Sequence, residues 1–203
     1  DGTWTATFSK NEIAEGIGLD NRIERSFLDS GAGFGGSCFP KDVRALIEFG
    51  EENGASMSIL RAVIKTNEIQ KTELVSLLEN RLGDLSNKKI AVLGLSFKPG
   101  TDDIRNSPAI DIISELKKHN SNIHGYDPRA SDNMKEKHPD IIYETEYINA
   151  LENADAAIIV TNWPEFDEIT LGEIQKMKQP LILEGRKMGY EIPSEFREGI
   201  TWP

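Results

Sequence analysis

From Lys89 onward the chain alternates short apolar runs with longer mixed stretches, and this alternation constrains the fold more than any other feature. Lys89-Ile90-Ala91-Val92-Leu93-Gly94, Ile123 to Tyr126, Ala156 to Val160 and Leu181 to Glu184 each read as a strand, with Gly199 to Trp202 as a last one. Short apolar runs bounded by polar residues and glycine fit strands buried on both faces. Pro108 to His119 predicts a helix, with Ser107 or Asn106 as its N-cap. Helical stretches fall between the other runs. Strand and helix in alternation predict a parallel sheet covered by helices, a Rossmann-like domain over residues 87–203.

Residues 1–86 read as a mostly helical segment, so the whole chain is predicted to be α/β: a helical segment followed by a parallel sheet domain. Val43, Leu46 and Ile47 are spaced for an amphipathic helix, and Pro40 suits its first position, where a missing N–H costs nothing. Ser56 to Leu82 predicts a long helix with Leu60, Val63, Ile64, Ile69, Leu74, Leu77 and Leu78 on one apolar face. The plain reading is a packing helix, ended by Gly83. Residues 84–88 are polar and read as a linker.

The single cysteine, Cys38, sits in Gly33-Phe34-Gly35-Gly36-Ser37-Cys38-Phe39-Pro40-Lys41-Asp42. A lone cysteine is ordinarily a small buried apolar residue. Here it stands just before a helix, at the positive end of the dipole and beside Lys41, and both features favour the nucleophilic thiolate. The glycines let backbone approach a ligand. Asp42 is explained equally well as a first-turn carboxylate that suits the dipole. Phe34 and Phe39 flank the cysteine and are expected to seal it against bulk solvent.

Gly31, Gly33 and Gly36 have the spacing G-x-G-x-x-G, but that fingerprint must follow a strand and open a βαβ unit. Phe27 to Ser30 is a poor buried strand. The turn after Leu93 keeps Gly94 and Gly100, lacks the rest of the glycine pattern, and carries Lys98 instead. Neither place reads as an NAD site. Lys98, Arg105 and Arg186 all follow predicted strands, where open α/β sheets bind ligands. Arginine grips phosphate in bidentate fashion and lysine supplies a point charge, so the three suit a pyrophosphate. Solvated surface charge is the alternative.

The 203 residues suffice for a sizeable core, and their net charge of -11 argues against nucleic acid and against an anionic membrane surface. One cysteine excludes an internal disulfide and fits a reducing, cytoplasmic setting. His119, His124 and His138 show no metal-ligand spacing, and no apolar run is long enough to span a bilayer.

The GFGGSCFPKD segment resembles the active-site segment of nucleotide-sugar dehydrogenases, the UDP-glucose 6-dehydrogenases and their close relatives. Gly18 to Ile23 through Phe27-Leu28, Phe97 to Pro108, and Asn162-Trp163-Pro164-Glu165-Phe166 are similar to the same family, in the same order. The resemblance runs from about residue 16 to the end. It implies two successive oxidations of a sugar C6 alcohol with NAD, through a thiohemiacetal and a thioester on Cys38. Asp42 then helps to activate water. It also implies that Phe34, Gly35, Phe97, Lys98 and Arg186 contact the UDP-sugar, and that Lys41 and Arg105 lie on the cofactor side. Arg22 would reach the substrate of the neighbouring subunit in a homodimer built on the helical segment.

The family's N-terminal NAD-binding domain is not found, so the chain looks like a C-terminal half, with the main cofactor domain absent and no activity expected alone. The first residue is Asp1 rather than methionine, so a fragment, a processed product or a trimmed form is expected. The run Thr7 to Glu12 contains Lys10 and Asn11 without the family's spacing between its catalytic lysine and asparagine, and those roles are not carried over. GDP-mannose dehydrogenases share a very similar cysteine segment, so the nucleotide and the hexose stay open. A non-catalytic nucleotide-sugar binding module also stays open.

Overall fold

The computed structural model describes residues 10–25 and 28–200. The expectations for Phe27, Thr201 and Trp202, and for the Lys10 and Asn11 side chains, lie outside what is described. The chain divides into two compact units, residues 1–30 and residues 31–203. In the first, helix α1 spans Lys10–Gly18. It continues into turns closed by Leu19 N–H to Glu15 and Glu24 N–H to Asp20.

The second unit begins with a glycine-rich segment and then helix α2, Phe39–Glu52. Phe39 takes the first helical position and Pro40 the next, one residue later than the sequence suggested. Helix α3, Ser58–Leu82, follows, and Gly83 closes it with φ 70° and its N–H on the Glu79 carbonyl. Of the expected apolar face only Leu74 and Leu78, in the C-terminal half, are buried, with Val75 beside them. Ile59, Val63 and Ile69 in the N-terminal half are exposed, as are Leu46 and Phe49 of α2. Periodicity reports that a face is apolar, not what lies against it.

The sheet contains β1 (Lys89–Leu93), β2 (Asn122–Tyr126), β3 (Ile142–Tyr143), β4 (Ala156–Ile159), β5 (Ile182–Glu184) and β6 (Arg197–Gly199). Their spatial order is β3-β2-β1-β4-β5-β6, and every pairing is parallel. The last strand lies earlier than the expected Gly199–Trp202. The two-residue β3 was not anticipated, because a run that short has no period to detect. Helices α4 (Pro108–Lys118), α5 (Ser131–Lys137), α6 (Tyr147–Leu151) and α7 (Leu171–Ile174) connect the strands. Ser107 caps α4, its side chain accepting from Ala109 N–H at 3.3 Å.

Alternation along β1 divides the core into two layers. Ile90 and Val92 pack with Leu74, Leu78, Ile112 and Leu116 on one face. Ala91 and Leu93 pack with Leu151, Phe166 and Ile174 on the other. Helix α3 therefore lies on the sheet beside α4. The ammonium of its nearly buried Lys71 joins the two helices, 3.0 Å from Glu68 and 3.3 Å from Asp111. No helix among the described residues is long and apolar enough to cross a membrane.

Candidate functional site

The carboxyl ends of β1 and β5 are brought together by the glycine-rich segment before α2. Gly31 forms an antiparallel bridge with Arg186, two residues beyond β5, and Ala32 N–H donates to the Gly185 carbonyl at 2.9 Å. The Arg186 side chain crosses Gly31 so closely that an added Cβ would lie 2.6 Å from its Nε. Buried Glu184 ends β5 just before this bridge and accepts from the Tyr190 hydroxyl at 2.6 Å. Burial, and then the Glu184 charge, raise the Tyr190 phenol far above its ordinary value and keep it a donor.

At the other end of the segment, Gly36 N–H donates to the Arg105 carbonyl at 2.8 Å, and the Asn106 side chain donates to the Gly36 carbonyl at 2.9 Å. Gly35 lies against the Asn106 backbone, where a Cβ would collide with the carbonyl oxygen. Only glycine allows that approach. The Phe97 ring covers Gly36. Lys98 is exposed, and its ammonium stands 5.4 Å from the centre of the same ring.

Cys38 is the N-cap of α2 and is exposed. The Phe34 and Phe39 rings pack 6.1 Å apart, and Phe39 is itself exposed. They do not seal the thiol from solvent, contrary to expectation. Lys41 pairs with Asp42 at 3.1 Å on the exposed first turn of α2. The Arg105 guanidinium is raised above its ordinary value first by hydrogen bonds to Asp103 and then by the Asp103 charge. Asp103 holds that guanidinium as a fork, at 3.0 and 2.6 Å, and is itself lowered chiefly by the same hydrogen bonds. Thus Phe34, Gly35, Cys38, Phe97, Lys98, Arg105 and Arg186 gather around one loop. Arg22 belongs to the other unit, where Asp20 holds it by a 2.9 Å hydrogen bond.

A second cluster, not foreseen from the sequence, stands behind this loop. Asp127 follows β2 and is almost wholly buried. Its Oδ2 accepts from Leu95 N–H (2.6 Å), Ser96 N–H (2.9 Å), the Ser96 hydroxyl (3.1 Å) and the Trp163 indole N–H (3.0 Å). Its Oδ1 accepts from Arg129 N–H and Ala130 N–H, at 2.9 and 2.8 Å. Thr161 beyond β4 donates to the Ser96 carbonyl at 2.5 Å. The chain reverses its strand order between β1 and β4, where open α/β sheets have their crevice. Here the buried Ser96, Asp127, Thr161 and Trp163 hydrogen-bond one another. The only sequence signal was Trp163, which lay in a family-like block without an assigned role.

Residues 91–189 match the UDP-binding domain of the UDP-glucose/GDP-mannose dehydrogenase family, and residues 5–69 match its central domain. The chain belongs to this family. It is 45% identical over 177 residues to a UDP-glucose 6-dehydrogenase of Haloferax volcanii, covering 87% of this chain and 41% of that protein. It is 42% identical over 183 residues to one of Bacillus subtilis, covering 88% and 39%. The fold agrees with a UDP-glucose dehydrogenase structure from Pyrobaculum islandicum at a TM-score of 0.83 and 35% identity, over 94% of this chain and 43% of that one. The chain thus spans about two fifths of the length of the curated relatives it matches. The α/β fold described above is shared with that structural relative.

Proposed function

We propose that this chain is the part of a UDP-glucose 6-dehydrogenase that holds the UDP-sugar and supplies the cysteine nucleophile. The observation that carries this reading is the Gly31–Cys38 segment, tied to Arg186 at one end and to Arg105 at the other. It sets a thiol between cations suited to phosphate. Lys98 and Arg186 bind the diphosphate, and Phe34, Gly35 and Phe97 line the sugar's approach. On this reading residues 1–86 are the central segment and 87–203 the nucleotide-sugar domain.

The Cys38 thiolate attacks the C6 aldehyde; a C–S bond forms and the carbonyl oxygen takes a proton. After the second oxidation the resulting thioester is attacked by water held by Asp42. The C–S bond then breaks, the thiolate leaves and a carboxylate remains. A thiolate suits both steps because it adds readily and leaves readily. NAD, implied by the resemblance, would supply the hydride acceptor for each oxidation. The crevice between β1 and β4 does not fit it, since Ser96, Asp127, Thr161 and Trp163 there are buried and hydrogen-bond one another. Lys41 and Arg105, exposed beside the cysteine, are the residues of this chain that would hold it.

We read the assembly as a homodimer through the helical segment, with Arg22 serving the neighbouring subunit. The exposed Leu46, Phe49, Ile59 and Val63 support this.

Calorimetry with UDP-glucose, GDP-mannose and NAD in turn tests the reading, beside an absorbance assay for NADH and the molar mass by light scattering. UDP-glucose should bind, NAD weakly or not at all, NADH should not form, and the mass should be that of a dimer. Arg186→Ala should weaken UDP-glucose by about tenfold or more, and Cys38→Ala far less, because hydrogen bonds to a charged group contribute about 1.5–3 kcal/mol. Preference for GDP-mannose would overturn the substrate, and NADH formation by this chain alone would overturn the cofactor assignment.

A further inference from the structure

We propose that Asn67 is a positioning residue for Cys38, holding the nucleophile's loop by a two-point amide clamp. The inference rests on the reading of Cys38 as the nucleophile. Asn67 lies in the middle of α3 and is 6% exposed. An asparagine contributes nothing to helix propensity there, so its burial needs another reason. Its Oδ1 accepts from Phe34 N–H at 2.7 Å and its Nδ2 donates to the Phe34 carbonyl at 3.1 Å. The side chain therefore pairs with one residue as a neighbouring strand would, saturating both of its backbone groups.

Three details make this clamp decisive for the loop. Ala32 is tied to Gly185 and Gly36 to Arg105. Between those ties, among the described residues, the hydrogen bonds to the loop backbone are the two from Asn67. The stretch they restrain contains Gly33 and Gly35, whose backbones have the most freedom to lose. Gly33 adopts φ +102°, and a Cβ there would stand 2.8 Å from the Asn67 Oδ1. The glycine thus makes room for the clamp as well as for the turn. One helical turn on, Gln70 donates to the Gly31 carbonyl at 3.2 Å and supports the same loop from the same face. Cys38 is four residues past Phe34. Without the clamp the sheet, the Arg186 bridge and α3 keep their own contacts, and only the approach to the cysteine loosens.

The test is Asn67→Asp beside Asn67→Leu in the full chain. For each, the Cys38 alkylation rate by iodoacetamide is followed from pH 5 to 9 as a ratio to wild type, with UDP affinity by calorimetry. A carboxylate accepts from Phe34 N–H but cannot donate to its carbonyl; a protonated carboxyl does both, as the amide does. Burial raises the pKa of such a carboxyl, while the Lys71 ammonium one turn on, paired with Glu68 and Asp111, opposes that rise, so recovery belongs to the acid end of the range. Asn67→Asp should be severalfold slower than wild type at pH 8 and approach the wild-type rate as pH falls. Asn67→Leu should be slow throughout, and UDP affinity should stay within about twofold.

A role confined to stability would not give a pH-dependent ratio in one variant only. Equal rates at pH 8 for folded Asn67→Asp and wild type would overturn the proposal. Should the variants not fold, hydrogen exchange at the Phe34 amide of wild type decides it: protection of tenfold or more supports the clamp, and exchange at the rate of an open peptide overturns it. Wild-type Cys38 no more reactive than a free thiol would count against the nucleophile reading instead, leaving the Phe34 exchange result to judge the clamp.

Discussion

The Asp127 cluster and the Cys38 loop both act on the segment that follows β1, by opposite means. Around Asp127 a buried carboxylate is surrounded by donors from three loops. Around Cys38 the groups are exposed, the backbone is rich in glycine, and only a few hydrogen bonds set its course. Satisfied buried polar groups fix a structure because each orphaned partner is costly. Exposed groups on a loop remain available for chemistry. The buried cluster fixes Leu95 and Ser96 just before Phe97 and Lys98, while the glycine-rich loop leaves its groups open to solvent.

The difference is broken most severely at Asp127. Asp127→Ala strands buried N–H groups at the end of β1 and should destabilise the fold by about 3 kcal/mol or more, at about 1–3 kcal/mol for each orphaned buried group. Urea denaturation followed by circular dichroism measures this, and a midpoint equal to that of wild type would refute the role given to Asp127.

Gly35→Ala acts on the open side, where its Cβ meets the Asn106 carbonyl. Separating the two loops should cost about 1–3 kcal/mol, the usual range for forced overpacking. It should also alter the alkylation rate of Cys38, which Asp127→Ala should change only by unfolding the chain. An unchanged denaturation midpoint and an unchanged alkylation rate together would remove the close contact.

The smallest effect belongs to the exposed Asp103–Arg105 fork. The folded pKa of Asp103 is depressed below 3.8. Its contribution is therefore present above the unfolded pKa of about 4 and is lost as pH falls through the lower folded value. Screening limits it to about 1 kcal/mol or less. Carboxyl NMR should give an Asp103 midpoint below 3.8 that returns toward the ordinary value in Arg105→Gln; no change in that variant would show that the fork does not cause the shift.

Much of the fold was legible because buried parallel strands are written as short apolar runs. β1, β2, β4 and β5 stand within a residue or two of their expected places. The cation rim was legible for the same reason, since strand ends predict where loops gather. Asn67 and Asp127 were not. Asn67 pairs across 33 residues, and Asp127 reaches Leu95, Ser96 and Trp163 across 31 to 36; no local period relates a helical asparagine to a glycine loop or an aspartate to an indole. The exposure of Cys38 was also hidden, because two flanking phenylalanines look like a seal in a sequence and instead pack tilted against each other.

The bridge between Gly31 and Arg186 joins residues from near the two ends of the described chain. A chain is made from its N-terminus, and such distant pairings close only after the intervening segments exist. The thiol, α2 and α3 are thus synthesised long before the arginine that completes their surroundings. Until β5 has joined the sheet, the growing polypeptide carries a cysteine without a site. The pairing that completes the surroundings of the thiol waits on residues made long after it.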